Sequence, residues 1–176
     1  MKVTMVMVSS LNGKITRGND PNIGLWTSKE DAKFFSSLRD KHNLIIMGRR
    51  TYDAVRNEIK PTPDKLRIVL TKTPAKYSSE AAKTGVEFSN EHPIKLLKRL
   101  ESKGFKNCLV VGGSETARLF LQLSLVDEIY LTIEPRIFGK GKPMFAEGEF
   151  ETYLKLMGFK KLNSRGTLNL RYKVQK

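Results

Sequence analysis

Two glycines mark the point where an apolar run ends and a helix begins, in Asn107-Cys108-Leu109-Val110-Val111-Gly112-Gly113-Ser114-Glu115-Thr116. With no side chains at Gly112 and Gly113 the backbone can approach a ligand closely and turn with positive φ. The helix opening at Ser114, Glu115 and Thr116 then offers free N–H groups and its positive dipole end to the same space. A phosphate or pyrophosphate fits such a place, and so does a tight connection that binds nothing. A second junction of this kind, Ile45-Ile46-Met47-Gly48-Arg49-Arg50-Thr51-Tyr52, adds two guanidinium groups suited to bidentate phosphate contact. Its Thr51 can cap the helix or donate to a phosphate. Without a ligand, Arg49 and Arg50 are simply solvated surface. Leu70-Thr71-Lys72 sets a hydroxyl and an ammonium at a third strand end. Ligands of open α/β sheets collect along that edge, so three junctions carrying anion-binding groups make coincidence the weaker account.

A fourth pattern carries a proton rather than a negative charge. In Trp26-Thr27-Ser28-Lys29-Glu30-Asp31-Ala32-Lys33-Phe34-Phe35 a helix opens, with Thr27 or Ser28 as its cap. Glu30 or Asp31, three residues on from these caps, can close a capping box. Asp31 can equally face inward: Asp31 and Phe35 lie four residues apart and share a face, so a carboxylate and a ring can hold a flat heterocycle. If Trp26 closes over that carboxylate, loss of water raises its pKa into the range useful for proton supply.

The elements that must position these groups alternate along the chain. Strands are expected at Val3–Ser9, Asn43–Met47, Leu66–Leu70, Val86–Phe88, Cys108–Val111 and Glu128–Glu134. Helices are expected at Lys29–Lys41, Thr51–Asn57, Pro93–Lys103 and Ser114–Leu123. Several strands are continuous apolar runs, as in a parallel sheet covered on both faces, and the order is that of an α/β fold. Tyr153–Lys160 and Thr167–Val174 read as a terminal antiparallel hairpin turned by Asn163, Ser164 and Gly166. No composition shift marks a linker, so residues 1–176 read as one domain, and 39% apolar residues in 20.0 kDa suffice for a core.

Composition narrows the function classes. Lys and Arg number 32 against 18 Asp and Glu, a net charge of +14 that attracts phosphorylated ligands. The positive residues are spread along the chain and no nucleic-acid motif accompanies them, so no specific nucleic-acid partner is expected. The run Val3 to Val8 is too short for a membrane span or signal peptide, so a cytoplasmic location is expected. Cys108 is a core residue by position, and with only His42 and His92 in the chain no metal site is expected.

Taken in order, these residues resemble the dihydrofolate reductase superfamily, which includes the reductase domain of the riboflavin-pathway bifunctional deaminase-reductase. The resemblance runs from Val3 to Phe145. It implies a dihydrofolate reductase-like fold, a mostly parallel sheet flanked by helices with a C-terminal antiparallel hairpin, and NADPH as cofactor. Gly112 and Gly113, with Ser114 to Thr116, would lie against the pyrophosphate. Gly48, Arg49, Arg50 and Thr51 would touch cofactor phosphates, and Thr71 and Lys72 the adenosine 2′-phosphate. Val8 and the loop to Thr16 would line the nicotinamide side. Trp26, Asp31 and Phe35, with Thr132 hydrogen-bonded to Asp31, are similar to the dihydrofolate reductase substrate site, Asp31 being the acid.

Ser9 to Ile15, the Thr27 to Asp31 helix start and Pro135 to Phe145 with Gly139-Lys140-Gly141 are similar to the riboflavin branch instead. That branch has an acid before the two glycines, where this chain has Val111. The folate branch has an arginine before the third strand, where this chain has Asp64-Lys65-Leu66-Arg67. Dihydrofolate is therefore the expected substrate and a riboflavin precursor, 5-amino-6-(5-phosphoribosylamino)uracil or its diaminopyrimidine counterpart, the alternative. A third reading is a protein that kept the fold, lost the chemistry and binds anions. A monomer or a homodimer is compatible with all three.

Overall fold

The computed structural model describes residues 1–60, 62–80 and 85–176. Its strands are β1 (Lys2–Ser10), β2 (Leu44–Gly48), β3 (Leu66–Leu70), β4 (Val86–Ser89), β5 (Asn107–Val110), β6 (Glu128–Glu134), β7 (Tyr153–Lys161) and β8 (Leu168–Gln175). The helices are α1 (Lys29–Asp40), α2 (Arg49–Val55), α3 (Pro93–Ser102) and α4 (Ser114–Gln122). All eight strands form one sheet in the order β4-β3-β2-β5-β1-β6-β8-β7. β4 through β6 are parallel, and β8 and β7 return antiparallel. Thus the expected α/β architecture with its terminal hairpin is the one observed.

The apolar runs explain the layering. Leu44 to Met47 and Cys108 to Val110 are buried throughout, because alternate side chains meet different helices. On one face Met5, Ile46, Ile68 and Val110 pack with Leu96 and Leu100 of α3 and Ala117 and Phe120 of α4. On the other, Val6 and Leu109 pack against Phe34, Phe35 and Leu38 of α1, while Ile45, Met47 and Val69 pack against Tyr52 of α2. Asp31 and Leu38, seven residues apart, are the buried positions of α1, so the helix faces inward along the stripe its sequence predicts.

One boundary differs from expectation for a physical reason, and one open alternative is resolved. α2 begins at Arg49, not Thr51, because Gly48 itself takes the extended capping conformation (φ −79°, ψ 154°) and supplies no side-chain cap. Thr51 therefore sits inside the first turn and caps nothing. At α1 the cap is Ser28 and not Thr27: the Asp31 N–H donates to Ser28 Oγ at 3.2 Å. β7, at the margin of the sheet, is exposed along its whole length, and Leu154, Leu156 and Phe159 are 43%, 48% and 73% exposed.

Candidate active site

The C-terminal ends of the parallel strands bring the expected residues into two groups. The first gathers under α1. Val8 on β1 stands opposite Thr132 on β6 in the strand register, and both face the helix that carries Asp31 and Phe35. Thr132 is fully buried, and its hydroxyl accepts from Asn169 Nδ2 of β8 at 3.0 Å. Burial pushes the Asp31 carboxyl up from 3.8 to about 6; a hydrogen bond from Thr132 pulls the other way, and the charge of Glu134 adds to the rise. Trp26 is buried at the same end, edge-on to Phe138 with ring centroids 5.2 Å apart, and its indole N–H has no partner among the described residues. Phe34 meets Tyr130 at 5.6 Å, and Arg39 lies 6.0 Å from the Phe35 ring. A cleft of about 680 Å³ opens at the start of α1, lined by Trp26, Ser28, Glu30, Glu134 and Arg165.

Asp31 owes its freedom to a residue the sequence did not single out. In a capping box its carboxylate would turn back to the Ser28 N–H. That N–H donates instead to Glu134 Oε1 at 2.7 Å, while Glu134 Oε2 accepts from Thr167 Oγ1 at 2.8 Å. The box does not close, and the neighbours that act on the carboxyl are Thr132 and Glu134 of β6.

The second group is the pair of glycine junctions, which the structure knits together. The Gly48 N–H donates to the Gly112 carbonyl at 3.2 Å, and the Gly113 N–H donates to Thr51 Oγ1 at 3.1 Å. A Cβ at Gly48 would stand 2.6 Å from Thr116 Oγ1, so a larger residue there would force Thr116 to move. Gly112 has φ +92°, a glycine conformation. Gly113 caps α4 and has no side chain to bond its first turn, so the N–H groups from Ser114 onward remain for a ligand. These observations fit the pyrophosphate of a dinucleotide.

The hydroxyl and charged groups divide. Arg50 and Lys72 are exposed and make no ion pair among the described residues. Arg49, by contrast, is paired with Asp53 at 2.7 Å, Glu115 with Arg118 at 3.2 Å, and Ser114 Oγ donates to the Pro143 carbonyl. Thr71 Oγ1 accepts from the Thr73 N–H in a local turn. Lys65, just before β3, is committed elsewhere: its Nζ donates to the carbonyls of Arg39, Asp40 and His42 and closes the C-terminal end of α1. Arg67, the second residue of β3, is buried and donates to Thr62 Oγ1.

The loop after β1 is held by the segment following β6. Asn12 donates through Nδ2 to the Phe138 carbonyl and accepts the Phe138 N–H, and the Ile15 N–H donates to the Lys142 carbonyl. Gly141 is required by this seam, since a Cβ would fall 2.0 Å from the Thr16 carbonyl oxygen. Among the described residues no helix is long and apolar enough to cross a membrane.

The RibD C-terminal domain model matches residues 1–168. YwjB of Bacillus subtilis, a protein without assigned activity, is 30% identical over 164 residues, covering 90% of this chain and 91% of its own. A dihydrofolate reductase of Aedes albopictus is 30% identical over 141 residues, 74% of this chain and 72% of its own. A pyrimidine reductase-like protein from Corynebacterium diphtheriae superposes with a TM-score of 0.80 at 19% identity, over 99% of this chain and 92% of the other.

Proposed function

The chain belongs to the RibD C-terminal domain family, a reductase family of dihydrofolate reductase-like fold, and on that premise we propose that it is an NADPH-dependent reductase acting on a small nitrogen heterocycle. The observation that carries the reading is the Asp31 carboxyl, buried beside Thr132 at the strand ends and raised to about 6. At pH 7 roughly a tenth of such carboxyls hold a proton, against roughly one in a thousand at the ordinary value, so the acid is poised for its task.

The bound cofactor would supply hydride. The backbone of Gly48, Gly112 and Gly113 and the first N–H groups of α4 would seat its pyrophosphate, with Arg50 and Lys72 as the exposed cations for the 2′-phosphate, which favours NADPH over NADH. Phe35 and Val8 would flank the heterocycle. Asp31 would give its proton, directly or through one water, to the nitrogen of the C=N bond whose carbon accepts hydride. Thr132 keeps the carboxyl turned toward that nitrogen. Positioning of the two reactants against each other supplies much of the remaining acceleration.

The family match favours a riboflavin-pathway ribosylaminopyrimidine, 5-amino-6-(5-phosphoribosylamino)uracil, as substrate. A second reading, dihydrofolate, is supported by the pairing of Asp31 with Thr132 and by the Aedes relative. NADPH oxidation measured with each substrate separates them. Whichever turns over, kcat should fall tenfold per pH unit above about pH 6, and Asp31→Asn should remove most activity at pH 7 while NADPH affinity holds. Retained turnover in that variant would remove Asp31 from the mechanism. Silence with both substrates, together with salt-sensitive oligonucleotide binding, would replace the reductase by an anion-binding protein.

A further inference from the structure

We propose that Glu134 is a positioning residue: it occupies the Ser28 backbone N–H and thereby keeps Asp31 out of its capping box and directed at Thr132. The inference rests on Asp31 being the acid of the proposed reductase. Its geometric basis is a competition for one donor. Asp31 is the third residue of α1, the place from which an acid normally reaches back to the cap N–H. The Ser28 hydroxyl already accepts the Asp31 N–H, so half of the box exists and only the returning bond is missing.

Glu134 takes that bond from across the sheet, 106 residues away, and is itself locked in place. Its second oxygen accepts from Thr167, which is fully buried and held in turn by Asn163, whose Nδ2 donates to Thr167 Oγ1 at 2.9 Å. The hairpin turn before β8 thus fixes the carboxylate that fixes the helix start. Two residues along β6 from Thr132, Glu134 presents its side chain on the same face.

The charges facing Asp31 are few. β6 contributes Glu134 as the acidic neighbour and Thr132 as a hydroxyl; β1 contributes Val8; β8 contributes Asn169 behind Thr132. On α1 itself, Glu30 turns to Asn163. Glu134 therefore has two effects in the same direction, one steric and one electrostatic: it denies Asp31 a donor that would stabilise the carboxylate, and its own negative charge disfavours a second one beside it.

The test uses ligand-free protein, so that it does not depend on turnover. Asp31 is followed by carboxyl-carbon NMR titration, with Asp31→Asn identifying its signal. Glu134→Gln keeps the shape, its carbonyl accepting from Ser28 and its amide donating to Thr167, and removes only the charge. Glu134→Ala also frees the Ser28 N–H. The Asp31 midpoint should drop by about half a unit or more in Glu134→Gln and further toward 3.8 in Glu134→Ala. The descending limb of the kcat profile should move by the same amounts, with kcat at pH 7 down about tenfold or more in Glu134→Ala and NADPH affinity unchanged. If Glu134→Ala does not fold, Glu134→Gln decides alone. An unmoved Asp31 midpoint in folded variants overturns the inference. A midpoint that moves while the rate profile stays fixed supports the hold of Glu134 on Asp31 and overturns Asp31 as the acid.

Discussion

Replacing Asp31 by asparagine should make the protein more stable at neutral pH, although it should nearly abolish turnover. The folded-state pKa of Asp31, about 6, lies above its unfolded value of 3.8, so the folded protein holds this proton more tightly. A raised group contributes stability below the unfolded value and loses it as pH rises through the folded one. The gap between 3.8 and about 6 corresponds to about 3 kcal/mol. Asparagine mimics the protonated acid at every pH, and because the Ser28 cap uses the backbone N–H of residue 31, the cap survives the change. The variant should therefore exceed wild type by about 3 kcal/mol at pH 7.5, by roughly half that at pH 5 and by nearly nothing at pH 3. Urea unfolding at the three values measures this, with midpoints converted through a common slope. A difference that does not change with pH, or a variant less stable at pH 7.5, would refute the account of Asp31 as a carboxyl held above its normal range by burial.

The nucleotide seat makes its own forecast. Gly48→Ala should weaken NADPH binding by roughly tenfold, through the clash with Thr116 Oγ1, and Thr116→Ala in the same chain should recover most of the loss in a calorimetric titration. No recovery would mean that the seat depends on Gly48 for another reason. Lys65→Met should lower stability by about 1–2 kcal/mol by opening the end of α1, with substrate KM unchanged. A large rise in KM at constant stability would return Lys65 to the substrate site.

What could be read from the chain was set by local periodicity. The inward face of α1 followed from the spacing of Asp31 and Phe35, and the glycine junctions from apolar runs that end in Gly48 or Gly112-Gly113. The start of α2 was misplaced by two residues, because Gly48 caps with its backbone and leaves no side-chain signature at the boundary. Glu134 was invisible: at the end of β6 it is a single acid whose partners, Ser28 and Thr167, are distant in sequence or lie beyond a long connection. The segments holding Asn12 and Gly141 were noted separately, but the seam that joins them across 126 residues has no local signature. Lys65, near the place where the folate branch carries its arginine, is used by the neighbouring helix, a commitment that only the tertiary structure reveals.

The exposed margin of the sheet gives the high positive charge a second meaning. β7 carries Leu154, Leu156, Met157 and Phe159 in the open and pairs on one side only, with β8. Such a strand is a template on which further strands can accrete. Lys155, Lys160 and Lys161 punctuate it, and the irregularity between Leu156 and Gly158 breaks its straight row of donors and acceptors. The lysines that draw anions toward the molecule therefore also line this open edge with like charge, which disfavours edge-to-edge pairing. Salt screens both effects together: at an ionic strength high enough to strip adventitious polyanions from this protein, the Debye length shrinks to a few ångströms, roughly 3 Å at 1 M, and the guard on β7 weakens with it.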